Sequence, residues 1–391
     1  MELNTEEKLW NKNFLNVCLS SFFIFINFYL LTATMPIYVK NDLNGNATEV
    51  SLIISLYILG TVLLRPFSGK WADQFGKRKM SLIFLTLFII CNLAYFGTTA
   101  IVPLLFIRFI NGFGFAVSTT SSSALAMDWI PSKRKGEGIS YYSLFMSLAM
   151  VVGPALGLFL ANNFPYEIVL ATASFFAIAS IIFSFFTADK ISEKSRKEEI
   201  LQYKGIYKYI EEKSIPASFS GFLLAFAYSS LISYIGLYCL EINLPQTAMF
   251  FFIVMASLII IPRPFIGKLL DQKGPSFLVY PGLILVIIGM TILTQANNTF
   301  MVLLAAAIIG LGYGAVFPAF QTLSIAAAPS NRAGTASATF FLLYDVGIGG
   351  GAFVFGIISA AIGYSNMYFS AAFIAFICIL AYVFLIDRKR K

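Results

Sequence analysis

Runs of about twenty mostly apolar residues recur along almost the whole chain, and this recurrence restricts the fold more than any motif. A hydrocarbon core of roughly 30 Å is crossed at about 1.5 Å per residue, so each run has the length of one spanning helix. The runs fall at 14–38, 50–69, 80–99, 101–127, 137–161, 167–187, 216–240, 246–269, 276–297, 300–326, 333–361 and 365–386. Twelve transmembrane helices are expected. Composition agrees, with 58% hydrophobic and only 12% charged residues and a mean hydropathy of +0.81, against about 25% charge in soluble domains. The first run follows a short polar segment, Met1 to Asn13, without a small-residue cleavage pattern, so it reads as a retained helix and not a secretory signal.

Basic residues sort by membrane side. Lys70, Lys77, Arg78 and Lys79 follow the second run, Lys133, Arg134 and Lys135 the fourth, seven Lys/Arg lie between the sixth and seventh, Arg332 follows the tenth, and Arg388 to Lys391 close the chain. The alternate loops hold one basic residue between them, Lys40. The positive-inside bias then puts both termini in the cytoplasm and the protein in the cell membrane. The formal charge of +8 is a matter of topology, and no nucleic-acid partner is expected. The segment 189–215 is the longest polar stretch, with Ile200, Tyr203, Tyr207 and Ile210 at helical spacing, which predicts an amphipathic helix on the inner surface.

The chain repeats itself. Arg65-Pro-Phe-Ser-Gly-Lys-Trp-Ala-Asp-Gln74 returns 198 residues later as Arg263-Pro-Phe-Ile-Gly-Lys-Leu-Leu-Asp-Gln272, identical at seven of ten positions. The same shift carries Gly112 to Gly310, Gly114 to Gly312, Pro131 to Pro329, Arg134 to Arg332 and Gly136 to Gly334. Two apolar stretches matching by chance would share Leu, Ile and Phe; these share Gly, Pro, Arg and Asp at helix ends. The expected fold is therefore all-α, two pseudo-symmetric six-helix bundles at 1–188 and 216–391 joined by a linker over 189–215. Parallel repeats imply a binding site near mid-membrane at their interface and alternating access by rocking.

The segment Gly69 to Lys79 resembles the loop signature between helices two and three of the major facilitator superfamily. Arg108, Gly112, Gly114 and Ala116 are similar to its helix-four signature, and Gly153-Pro154-Ala155-Leu156-Gly157 to its antiporter signature. The pattern departs from the last at Ala149 and Leu158, where glycine is usual. The resemblance covers essentially the whole chain and is strongest to the twelve-helix drug/proton antiporters. It implies a monomeric carrier of a small molecule, and a gating role for Gly69, Asp73, Gly76, Arg78, Gly267, Asp271, Gly153 and Pro154. Physically, Gly69 and Gly267 permit close backbone approach, and Asp73 and Asp271 can accept from helix N-termini.

Two charges fall inside the apolar runs. Arg108 lies about seven residues into the fourth, near 10 Å deep, where a cation costs about 2.5–3.5 kcal/mol on insertion scales. Its repeat counterpart is Ala306. Asp345 lies about a dozen residues into the eleventh, opposite Ser147, and burial would favour its protonated form. With no histidine in the chain, side-chain proton relay must rest mainly on carboxylates, so Asp345 and Arg108 are the proton-coupling candidates. Candidates for the substrate cavity are Asn27, Tyr29, Asn111, Ser118, Ser122, Tyr142, Tyr228, Tyr234, Gln321 and Tyr344; packing is the alternative for each.

The four cysteines stand singly in apolar stretches, without metal spacing. No Walker loop, HExxH or Gly-x-Ser-x-Gly is present, so neither an enzyme, a metal site nor a cofactor is expected; the proton gradient would supply the energy. The leading expectation is proton-coupled efflux of lipophilic or cationic compounds by antiport. The alternative is transport of a polar metabolite such as a sugar, amino-acid derivative or metallophore.

Overall fold

A computed structural model of the protein describes residues 8–189, 205–244 and 246–389. Among them are twelve α-helices and no strand: α1 (Lys12–Asn41), α2 (Ala47–Phe75), α3 (Lys77–Ala94), α4 (Ile101–Trp129), α5 (Lys135–Asn163), α6 (Tyr166–Phe185), α7 (Ile215–Glu241), α8 (Thr247–Ile260), α9 (Arg263–Lys273), α10 (Ser276–Thr294), α11 (Thr299–Ala326) and α12 (Ala333–Leu385). Polar side chains start several of them. Asn11 Oδ1 accepts from Phe14 N at 2.9 Å, and Asn298 Oδ1 from Met301 N at 3.0 Å. At the start of α2, Asn46 and Glu49 cap each other reciprocally, Glu49 N to Asn46 Oδ1 at 3.0 Å and Asn46 N to Glu49 Oε2 at 2.8 Å, a capping box.

Among the described residues, ten helices are long and apolar enough to cross a membrane, and α8 with α9 makes an eleventh span bent by 45°. The bend was not expected within 246–269. It follows from Pro262, which stands where the first copy has Leu64: this additional proline, two residues before Pro264, removes another backbone donor, while α2 continues through Pro66, the counterpart of Pro264. The 53 residues of α12 would extend about 80 Å, more than twice the thickness of a bilayer core. Gly363, at φ 81 and ψ 166, breaks α12 into two passes and completes the twelve crossings.

By contacts the chain forms two compact units, Met1–Ile210 with Ser330–Ala338, and Glu211–Pro329 with Thr339–Lys391. In the first, α2 and α3 both pack on α4; in the second, α8 and α10 both pack on α11. The repeat recurs atom by atom. A Cβ on Gly112 would lie under 3.0 Å from Tyr57 O, and one on Gly310 under 3.0 Å from Met255 O, which is position 57 shifted by 198. Gly114 abuts Phe84 and Phe88, and Gly312 abuts Gly282 and Val286, again the same positions shifted. These glycines let backbones approach where van der Waals contact must replace the hydrophobic effect between helices in lipid.

Most of the polar segment 189–215, including Ile200 and Tyr203, lies outside the described residues. Its described end holds two 3₁₀ turns, Gly205–Lys208 and Glu212–Ser214, in place of the expected amphipathic α-helix around Tyr207 and Ile210. Arg332 donates to Tyr207 O at 2.6 Å, so carbonyls that an α-helix would use internally are answered by a side chain. All four cysteines are buried and unpaired by disulfide.

Candidate functional site

The loop signature builds a cap at the end of α2. Asp73 is 1% exposed, and its carboxylate accepts from Gly334 N at 2.8 Å, Thr335 N at 2.7 Å and Thr335 Oγ1 at 2.6 Å. These amides open α12, where the helix has no internal acceptors and its dipole favours negative charge. Gly69, one turn earlier, makes the approach possible: a Cβ there would come within 2.6 Å of Ala338 Cβ and 2.7 Å of Gly334 O. Gly76, at φ 100, turns the chain sharply into α3, and Arg78 donates to Phe185 O at 2.5 Å while covering the Phe185 ring.

Beside the cap, Lys77 Nζ and Asp128 Oδ1 form an ion pair at 2.5 Å, with side chains 1% and 7% exposed. The sequence reading quoted Lys77 and passed over Asp128, which stands one residue beyond the fourth apolar run. Its only signal was an acid at the foot of a run that faces a basic loop. In the second unit Gly267 is buried and Asp271 is exposed. The two copies of one motif thus present their carboxylates differently.

On α5, Gly153 and Pro154 belong to helix packing. A Cβ on Gly153 would lie 2.7 Å from Tyr29 Cβ and 3.0 Å from Ile26 O. Tyr29 stacks edge-on with Phe28 at 4.9 Å. Asn27 is fully buried and donates to Asn92 Oδ1 at 2.8 Å and Ala173 O at 2.6 Å, joining α1, α3 and α6. The Tyr142 hydroxyl, also buried, accepts from Ser21 at 2.9 Å, and Asn111 donates to Phe88 O at 3.3 Å. These three polar groups bond between helices of the first unit.

The hydroxyl run Ser118 to Ser123 is buried throughout, Ser118 and Ser122 included. Its middle serves Arg65, which donates to Thr119 Oγ1 at 2.7 Å, Thr120 Oγ1 at 3.2 Å and Ala116 O at 3.2 Å. Arg108 is 1% exposed. Its guanidinium lies 4.3 Å from the centre of the Tyr57 ring, and Nη2 reaches Thr32 Oγ1 at 3.5 Å.

The second unit gathers aromatic rings around α11 and α12. Tyr228 stacks on Tyr313 at 4.3 Å, Tyr313 on Phe317 at 5.8 Å, and the Tyr313 and Tyr344 hydroxyls share a hydrogen bond. Phe317 meets Tyr344 edge-on at 5.2 Å, and Phe340 stacks on Tyr344 at 6.1 Å. Asp345 follows Tyr344 directly and is half-buried, less enclosed than expected of it. Sequence reasoning missed Tyr313, although its setting between Gly312 and Gly314, on the glycine-marked packing helix, was available. Gln321 is fully buried further along α11, and Tyr234 donates to Ala352 O at 2.6 Å. The structure therefore brings Tyr228 and Tyr344 together and sets Tyr234 against the α12 backbone.

Two repeated units of spanning helices, each built on glycine-marked packing, with ionisable residues inside the spans, define a multi-pass membrane protein, and its family makes it a transporter and not an enzyme. The chain belongs to the Major Facilitator Superfamily, whose family model matches residues 17–352. It is similar to an uncharacterized MFS-type transporter of Methanocaldococcus jannaschii, 23% identical over 95% of this chain and 98% of the relative. It also resembles the staphylopine export protein of Staphylococcus aureus, 23% identical over 88% and 91%, and multidrug resistance protein 2 of Bacillus subtilis, 22% identical over 78% of each. Among solved structures, the human organic anion transporter MFSD10 shares the fold with a TM-score of 0.80 at 15% identity, over 95% of this chain and 98% of that one.

Proposed function

We propose that this chain is a proton-coupled exporter of small lipophilic or cationic compounds, working by alternating access in the cytoplasmic membrane with both termini inside. The observation that carries the reading is the ring cluster Tyr228, Tyr313, Phe317, Phe340 and Tyr344, with Asp345 the next residue of α12 after Tyr344 and half-buried. Aromatic faces attract organic cations, by about 2 kcal/mol or more when desolvated, and a carboxylate on the same helix supplies an opposite charge. A carboxylate that either a proton or a cationic substrate can neutralise makes the two compete, and that competition is the chemistry of antiport. The proton gradient then supplies the energy without a cofactor. The similarity to multidrug resistance protein 2 of Bacillus subtilis supports a drug-like substrate. The Asp73 cap serves this cycle as a latch, made in one state and released in the other.

The test uses the full-length protein in proteoliposomes with an imposed pH gradient, a pH-sensitive dye and a panel of lipophilic cations. Substrate-dependent collapse of the gradient by wild type, lost in well-folded Asp345→Asn, is the expected result, because the amide keeps the size but cannot titrate. Unchanged proton-driven transport by Asp345→Asn removes Asp345 from coupling. A second reading, export of a polar metabolite such as a metallophore, is favoured by the similarity to the staphylopine export protein over 88% of this chain. Inhibition by a polar metabolite together with indifference to lipophilic cations would select it.

A further inference from the structure

At the foot of the second unit, the start of α7 and the ends of α11 and α12 enclose a groove of about 300 Å³. Ala217 and Ala326 are too small to fill it, Leu323, Leu385 and Ile386 give it apolar walls, and Lys213, an exposed residue, stands at its edge. None of these residues belongs to the aromatic cluster or to the Asp73 cap. Packed interiors hold few voids larger than a water molecule, and a hollow left empty forfeits the dispersion contacts of its lining. Beside spanning helices, the apolar filler at hand is a lipid acyl chain.

The charges around the groove select the headgroup. Arg388, two residues beyond Ile386, holds its guanidinium 4.6 Å from the centre of the Phe384 ring, and that ring is 52% exposed, so a second cation is carried on the outer face of α12. The sequence continues as Lys389-Arg390-Lys391. The acids of the same two segments are mostly turned to the protein's own donors. Glu211 is 3% exposed and accepts from Lys213 N at 3.3 Å. Asp387 accepts from Ser276 Oγ at 2.8 Å and from the Tyr280 hydroxyl at 3.0 Å. Of these three neighbours, Glu212 alone is exposed. The groove thus joins an apolar hollow to a rim on which cations outnumber free carboxylates, and basic pockets between spanning helices suit anionic lipid headgroups.

We propose that this groove is a binding site for one anionic phospholipid of the leaflet at the foot of α12. An acyl chain lies along Leu323, Leu385 and Ile386, and the phosphate meets Lys213, with Arg388 beside it. The bound lipid fastens the start of α7 to the ends of α11 and α12. The site is independent of what the protein transports, so the exporter reading and this one stand or fall separately. A free phosphate ion shares the headgroup's chemistry and lacks the chain, and the experiment separates the two.

Full-length protein in detergent is titrated with phosphatidylglycerol, with chain-matched phosphatidylcholine and with inorganic phosphate, following lipid retention by native mass spectrometry. Wild type should hold phosphatidylglycerol about fivefold more tightly than phosphatidylcholine, the contribution of one basic residue near a charged surface. Lys213→Gln should remove that preference, while Lys133→Gln, at an exposed residue of the first unit, should leave it. Ala326→Phe, at an exposed residue of the last turn of α11, fills the groove and should weaken retention of both lipids. Equal retention of the two lipids by wild type, a preference that survives Lys213→Gln, equal effects of Lys213→Gln and Lys133→Gln, or undiminished retention by Ala326→Phe overturns the site. Inorganic phosphate displacing phosphatidylglycerol at equal concentration overturns the lipid in favour of a free anion. Should Ala326→Phe fail to fold, dihexanoyl phosphatidylglycerol takes its place: retention as tight as that of the long-chain lipid overturns the acyl contact, and weaker retention supports it.

Discussion

Replacing Asp73 with alanine removes one acceptor from three donors at once: the Gly334 and Thr335 amides and the Thr335 hydroxyl, at 2.6 to 2.8 Å. Each is a charge-assisted bond of about 1.5–3 kcal/mol, partly offset by the several kcal/mol that burying a carboxylate costs. Both amides lie at buried residues, so water does not readily replace the lost acceptor, and the net loss should be about 3 kcal/mol, at the lower edge of values for breaking a buried charged contact. At about 1.4 kcal/mol per factor of ten, amide exchange at Gly334 and Thr335 should quicken by roughly a hundredfold. Hydrogen-exchange mass spectrometry of the purified protein, on peptides spanning the start of α12, reads this directly. Asp271→Ala is the matched control: it stands at an exposed residue, where a charged contact is worth about 0–1 kcal/mol, so the change should cost about 1 kcal/mol or less. Unaltered protection at Gly334 and Thr335 in folded Asp73→Ala, or equal loss from both variants, would refute the reasoning.

Two further outcomes test the packing. Gly112→Ala and Gly310→Ala each force a Cβ against a backbone carbonyl and should cost about 1–3 kcal/mol, visible as a lowered melting temperature in detergent; Gly97→Ala, with nothing within 4 Å, should melt as wild type does. Lys77→Met and Asp128→Leu should each destabilise by about 3–5 kcal/mol and the double variant by clearly less, because the single changes strand a buried charge; additive losses in the double-mutant cycle would show that the pair is not coupled.

Much of the architecture was legible in the residues. The 198-residue repeat located the glycines on which α4 and α11 pack, and its shift carries the structural contacts of Gly112 and Gly114 to those of Gly310 and Gly312. Small residues at fixed spacing report helix contacts because backbones cannot otherwise approach. The bend between α8 and α9 was also legible after the fact, in Pro262 against Leu64, yet uniform apolarity across 246–269 concealed it. Polar residues were harder. Asn27, Asn111 and Tyr142 invite a cavity reading, and in the structure they bond between helices. A polar side chain in an apolar run needs a partner, and the sequence does not say whether that partner is protein or cargo.

The division has a physical basis. In lipid a helix satisfies its backbone locally, so length, apolarity, caps and breaks such as Gly363 are written in contiguous residues and can be read from them. Side-chain partnerships depend on which helix faces meet. Asp73 finds its acceptor role 262 residues away at Thr335, Lys77 finds Asp128 across 51, and Tyr228 finds Tyr313 on another helix. Two copies of one motif, identical at seven of ten positions, leave Asp73 buried in a cap and Asp271 at an exposed residue. The apolar runs and the repeat thus determined a two-fold helical membrane protein. Only tertiary packing decided which charges meet an opposite charge, as Lys77 meets Asp128, and which, like Arg108 under the Tyr57 ring, are held by uncharged groups.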